Sequence, residues 1–242
     1  MTAWSSGERP GAFVLTARYL SAMLPESAWL AAQRGRPELL AAAFPAVGRK
    51  VGRGPLHAPT GSNGERTSWS EGSDEAQHAV SQGPDERNLV AGWGVDEVAR
   101  GVLVAGLVGV LSGDEFVAAL GGVYRYGDAG EKRAVLKALG VREVAEALGD
   151  RGVPLVADAI RTNDQRLLAA ALGPYATRYL EAAGFRQAVL KCVFAGVPLS
   201  AVDGLPARSD DELIRMMTDF AAERTAAGRD VPADLQPYLR TA

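Results

Sequence analysis

The sequence predicts an all-α protein built as an irregular α-solenoid, a HEAT-like helical array. Three observations predict it. Apolar residues recur at intervals of three and four, the spacing of one helix face. Glycine and proline punctuate the chain every ten to eighteen residues or so, and runs rich in β-branched and aromatic residues, which favour strands, are few. No fixed repeat period accompanies the pattern, so the array is expected to be irregular.

Phe13, Ala17, Leu20 and Leu24, then Trp29 with Leu30, then Leu39, Leu40, Ala43 and Val47 mark two or three helices. Residues 1–51 are too few for a core of their own and are expected to pack on the main array. From Arg53 to Arg87 the chain is almost wholly Gly, Pro, Ser, Thr, Asn, Gln, His and charge, with Trp69 its only aromatic residue. Such a stretch buries too little apolar surface to offset its ordering entropy, so residues 52–88 are expected to be a disordered linker. Residues 89–242 form the main helical domain.

Within that domain, breaks are expected at Ser112-Gly113, Gly127-Asp128, Gly140, Gly149 to Pro154, Gly173-Pro174, Gly184, Gly196 to Pro198 and Gly204 to Pro206. The apolar run from Gly101 to Leu111 is about eleven residues, against ~20 for a membrane span, and reads as a buried helix. A helix from Gly184 to Ala195 is apolar nearly all round and is expected to be central. Lys191 shares a stripe with Gln187, and either snorkels past a neighbour or points into a polar pocket. In the last long helix, Ser209 with Glu212 forms a capping box, Asp210 and Asp211 oppose the positive helix end, and Gly228 supplies a left-handed stop. Leu213, Met216, Met217 and Phe220 make its apolar face. Arg215, Asp219 and Glu223 fall at intervals of four, either as a solvated ladder or as a network joined by Arg224 and Arg229.

Composition narrows the function. A hydrophobic content of 47% is ample for a core, and a net charge of -3 with both signs interspersed offers no general field for nucleic acid. The single cysteine, Cys192, is expected to be a buried thiol in a reducing compartment, which points to the cytoplasm. Arg18 interrupts the segment from residue 12 to 24, so no signal peptide is expected. Both histidines, His57 and His78, fall in the linker, where nothing holds a side chain in catalytic geometry. Zinc sites and Ser-His or Cys-His nucleophiles therefore have no components, and no EF-hand or phosphate loop is visible; neither metal nor cofactor is expected, with a carboxylate-only magnesium or calcium site left as the alternative.

The stretch Arg161, Thr162, Asn163, Asp164, Gln165 and Arg166 concentrates charge and amides in an otherwise apolar half. Two readings stand. Thr162 with Gln165 forms a capping box, and Asn163 or Asp164 can satisfy the amides of the next helix. Alternatively Arg161, Asn163, Asp164 and Tyr175 converge as a polar site for an anionic or polyol ligand.

The pieces RTNDQRLLAAALGPYATRYL, FRQAVLKCVFAGVPLSAVDGL and ELIRMMTDFAAERTAAGR together resemble the EboA family, whose members carry a similar order of Arg-Thr-Asn-Asp, Pro-Tyr, a Val-Leu-Lys helix and an Arg-Met helix. The resemblance is strongest from Ala157 to Arg229. It implies a bacterial gene cluster that moves or processes secondary-metabolite precursors, with neighbours resembling a membrane prenyltransferase, a metal-dependent hydrolase, isomerases and sugar-processing proteins. It supplies no reaction. By carry-over the matching positions are Arg161, Asn163, Asp164, Tyr175, Lys191, Arg215, Asp219, Glu223 and Arg224. The expectation is a non-catalytic accessory or scaffold protein that binds a cluster-encoded partner or a small polar metabolite. The alternative is an enzyme or ligand-binding protein using an Arg/Asp/Glu/Lys pocket.

Overall fold

A computed structural model describes residues 15–24, 27–56 and 92–239. Among these the chain forms thirteen α-helices and several 3-10 turns, with no strand. The helices are α1 (Ala17–Ala22), α2 (Ala28–Gln33), α3 (Leu40–Lys50), α4 (Val95–Ala105), α5 (Gly113–Tyr126), α6 (Ala129–Ala138) and α7 (Arg142–Leu148). They continue as α8 (Val153–Arg161), α9 (Gln165–Ala171), α10 (Pro174–Tyr179), α11 (Ala182–Ala195), α12 (Leu205–Arg208) and α13 (Asp211–Ala226).

Local chemistry sets most of the helix starts. Thr16, Ser27, Ser112 and Asp128 each accept a hydrogen bond from the backbone amide three residues on, satisfying donors that the helix itself leaves unpaired. Two starts depart from the capping boxes that the sequence offers, although Asp164 is itself among the caps it offers for α9. Asp164, not Thr162, caps α9, accepting from the Arg166 amide at 2.8 Å and the Leu167 amide at 3.3 Å. Asp210, not Ser209, caps α13 through the Leu213 amide at 2.9 Å. In both places a carboxylate, which also opposes the positive helix end, takes the position from a neighbouring hydroxyl. The displaced hydroxyls turn back instead: Thr162 Oγ1 donates to Ala159 O, and Ser209 Oγ donates to Leu205 O.

Helix ends follow similar rules. After α13, Gly228 takes φ +65°, and the amides of Arg229 and Gly228 return to the carbonyls of Arg224 and Thr225. This is the paired closure that a left-handed residue allows. The Gly101 to Leu111 run is only half helical: α4 stops at Ala105, and residues 106–111 turn through short-range backbone bonds. Gly184 does not break the chain but sits in the first turn of α11.

α4 is the axis of the packing. Every residue from Glu97 to Ala105 is buried, and the helix meets α1, α2, α3, α6 and α7. Neighbours then follow in a row, α4 on α6, α6 on α9, α9 on α11 and α11 on α13, while α3 meets α5 and α5 meets both α6 and α7. The N-terminal helices share this core. The Leu15 carbonyl accepts from the Arg142 amide at 2.8 Å, and Glu143 accepts from the Ala17 amide at 3.0 Å. One hydrophobic cluster runs from Leu15 to Leu235. Cys192 lies fully inside it, and burial pushes its thiol up to about 12.

Of the expected linker, residues 52–56 are described and are tied down. The Gly54 carbonyl accepts from the Val95 amide at 3.0 Å, and Pro55 forms a bridge with Gly94. The remainder, residues 57–88, lies outside the described residues, as do His57 and His78.

Candidate functional site

The first turn of α4 carries two carboxylates, as a helix N-terminus favours. Glu97 sits at the third helical position and accepts from the Gly94 amide at 2.8 Å, closing a cap. Unusually for such a residue, it is also buried, with 1% of its surface exposed. A carboxylate there demands cations. α6 supplies them from one face: Arg133 and Lys137 are four residues apart, and both reach Glu97, Arg133 through Nε and Lys137 through Nζ at 2.6 Å. Burial raises the Glu97 carboxyl, but the bonds and charges of Lys137 and Arg133 outweigh it and hold the group below the usual carboxylate range. Lys137 also donates to Gly92 O at 2.9 Å and stands over the Trp93 ring at 5.4 Å. Burial lowers its ammonium more than Glu97 raises it.

One turn along α4, Arg100 is 1% exposed. Its Nε donates to the Phe44 carbonyl of α3 at 3.1 Å, its Nη1 donates to Asp96 at 2.5 Å, and its guanidinium lies 5.5 Å from the Phe44 ring. α3, α4, α6 and the strand-like contact of residues 54–55 with 94–95 are thus joined through two buried charge clusters.

Above these clusters opens a cavity of roughly 700 Å³. Four arginines line it, Arg53, Arg100, Arg133 and Arg166, together with the carboxylates of Asp96, Glu97 and Asp128. Trp93, Leu56 and Met23 add apolar wall. Among the described residues, no hydroxyl, thiol, imidazole or amine side chain lines it. The Lys137 amine behind it is already committed to Glu97 and to a carbonyl.

The residues nominated from the sequence lie elsewhere. Arg161 is exposed and pairs with Asp158 at 2.9 Å, whose other oxygen accepts from the Tyr124 hydroxyl. Asn163 is exposed, and Asp164 serves as the cap of α9. Tyr175 is buried, its hydroxyl donating to Gly149 O at 2.5 Å and accepting from the Gly152 amide at 2.9 Å. Lys191 is half-buried on α11. On α13, Arg215 pairs with Glu212 at 2.7 Å and Asp219 at 2.6 Å, Glu223 is exposed one turn on, and Arg224 donates to Asp230 O. None of them lines the cavity. The Tyr175 hydroxyl is turned to the 149–152 turn and does not meet Arg161.

Tyr175→Phe is therefore expected to cost about 1–3 kcal/mol, because it strands a buried amide and a carbonyl. Thermal denaturation should show a drop of about 5 °C for a chain of this size.

The charged 161–166 stretch does reach the cavity, through Arg166. The signal for the rest was present in the sequence. Asp96, Glu97 and Arg100 interrupt an apolar helix, and Arg133 and Lys137 share a helical face. Charges placed where the pattern demands burial mark paired groups.

Among the described residues, fold and site together define a helical protein with a charge-lined cavity. The chain belongs to the EboA family: the family model described as metabolite traffic protein EboA matches residues 28–240. The match takes in α2 through α13 and is wider than the 157–229 region whose motifs carry the resemblance most strongly. No curated protein and no solved structure matches the chain. Among the described residues, no helix is long and apolar enough to cross a membrane, and no group of His, Cys, Asp or Glu is placed to hold a metal ion.

Proposed function

We propose that this chain is a non-catalytic accessory protein of secondary metabolism that holds a small polar metabolite in the cavity above α4 and α6. The observation that carries the reading is the cavity itself. Its deepest charges are buried and paired with one another, which preorganises a polar floor, and none of the described residues on its wall is a hydroxyl, thiol, imidazole or amine. The family's description as a metabolite traffic protein agrees with holding rather than converting. The row of neighbours from α4 to α13 supports an irregular, HEAT-like α-solenoid, a form that presents broad surface to a partner. A protein encoded in the same gene cluster is the expected recipient of the metabolite, and the single reduced cysteine agrees with a cytoplasmic setting.

The test is to purify the full chain from its native host at low salt, denature it and identify the released small molecules by mass spectrometry. One metabolite should be enriched over Ala129→Trp, which fills the cavity from its rim. Equal release from both proteins, or steady turnover of that metabolite by the wild type, overturns the reading.

A further inference from the structure

We infer that the molecule held in this cavity is an organic oxyanion, a carboxylate or a phosphate, carried on an apolar body, and that Arg53 and Arg166 select it. This rests on the cavity being the binding site. The deep charges are engaged within the protein. Asp96 is paired with Arg100, Glu97 with Arg133 and Lys137, and Asp128 accepts the Glu131 amide at the positive end of α6. Arg53 and Arg166 enter from two different elements, the segment after α3 and the start of α9, and neither has an ion-pair partner among the described residues. Among the described residues, two positive charges are therefore left for an occupant.

Further donors point the same way. Arg133 uses only Nε on Glu97, and no described residue accepts from its two terminal nitrogens. They are not buried without a partner, and Arg133 lines the cavity. Guanidinium groups bind planar or tetrahedral oxyanions in two-pronged fashion, which an isolated hydroxyl or a neutral polyol cannot match. Arg53, which is exposed, lies against α3. Gly48 of α3 leaves room for it, since a Cβ at residue 48 would stand 2.6 Å from Arg53 Nε. Trp93, Leu56 and Met23 then offer the apolar part of the ligand a wall.

The experiment uses anilinonaphthalene sulfonate, a fluorescent anion with an apolar body, on the full chain at low salt. Octanoate, octyl phosphate and octanol serve as competitors. Octanoate or octyl phosphate should displace the dye at concentrations about tenfold below octanol, and their relative strength tells carboxylate from phosphate. Arg53→Gln with Arg166→Gln should weaken dye binding about tenfold with an unchanged melting temperature, and added salt should weaken wild-type binding. Octanol competing as well as the anions, or a double variant within twofold of wild type, overturns the oxyanion assignment while leaving the cavity as a site. Failure of the dye to bind at all overturns both.

Discussion

Replacing Glu97 by alanine lowers the melting temperature by about 10 °C. The residue is 1% exposed and is the common acceptor for Arg133, Lys137 and the Gly94 amide. Removing one member of a buried charge cluster leaves its partners uncompensated, a loss of about 3–5 kcal/mol, and each kcal/mol moves the midpoint by ~2–4 °C in a chain of this length. Glu97→Gln keeps the shape and isolates the charge. Because the folded-state carboxyl is held below its ordinary value, its contribution is fully present above the unfolded value of about 4.3 and is lost as pH falls through the folded value. The stability gap between wild type and Glu97→Gln should therefore narrow in acid. A gap that stays constant from neutral pH down to the acid transition would show that shape, not charge, is what Glu97 supplies.

Arg100→Ala is the second large effect, again about 3–5 kcal/mol. The side chain fills the contact between α3 and α4, donates to the Phe44 carbonyl, and neutralises Asp96. Truncation leaves a void together with an unpaired carboxylate. Arg100→Lys should recover only part of the loss, since one ammonium cannot reach the carbonyl and the carboxylate in the same forked geometry. Asp96→Asn combined with Arg100→Met removes both charges while keeping the volume, and should recover at least half of the stability lost in Arg100→Ala. Chemical denaturation of the three variants checks the series. If the double variant is as unstable as Arg100→Ala, the pair is worth more than an apolar contact of the same size, and the void is not the main cost.

Much of the fold was legible in the sequence because helix starts and stops are local. The turns at Ser112, Asp128, Gly173 and Gly196 to Pro198 stand where glycine, proline and capping residues place them. Arg215 does pair with Asp219 four residues on, and Cys192 is buried. The local misreadings are also instructive. Thr162 and Ser209 satisfy a capping pattern, yet Asp164, which the sequence also offers as a cap, and Asp210 make the caps. A pattern of spacing does not weigh a carboxylate against a hydroxyl, whereas the helix dipole does.

The candidate site was less legible. Sequence reasoning followed the conspicuous charges at 161–166 and 215–224, which are mostly exposed and bonded to near neighbours. Glu97 and Arg100 lie just before the apolar run from Gly101 to Leu111, which reads as core. Their partners are distant along the chain: Arg133 lies 36 residues and Lys137 40 residues from Glu97, and Phe44 lies 56 residues from Arg100.

The sequence by itself determined that this is an all-helical chain, where most of its helices begin and end, and which family it resembles. Those properties rest on periodicity, caps and contiguous motifs, each confined to a few turns of chain. Only the tertiary structure decided which charges are buried together and which arginines are left to face a cavity. Burying a charge costs several kcal/mol unless a partner arrives from another helix, and the packing of α3, α4, α6 and α9 alone determines where that partner comes from.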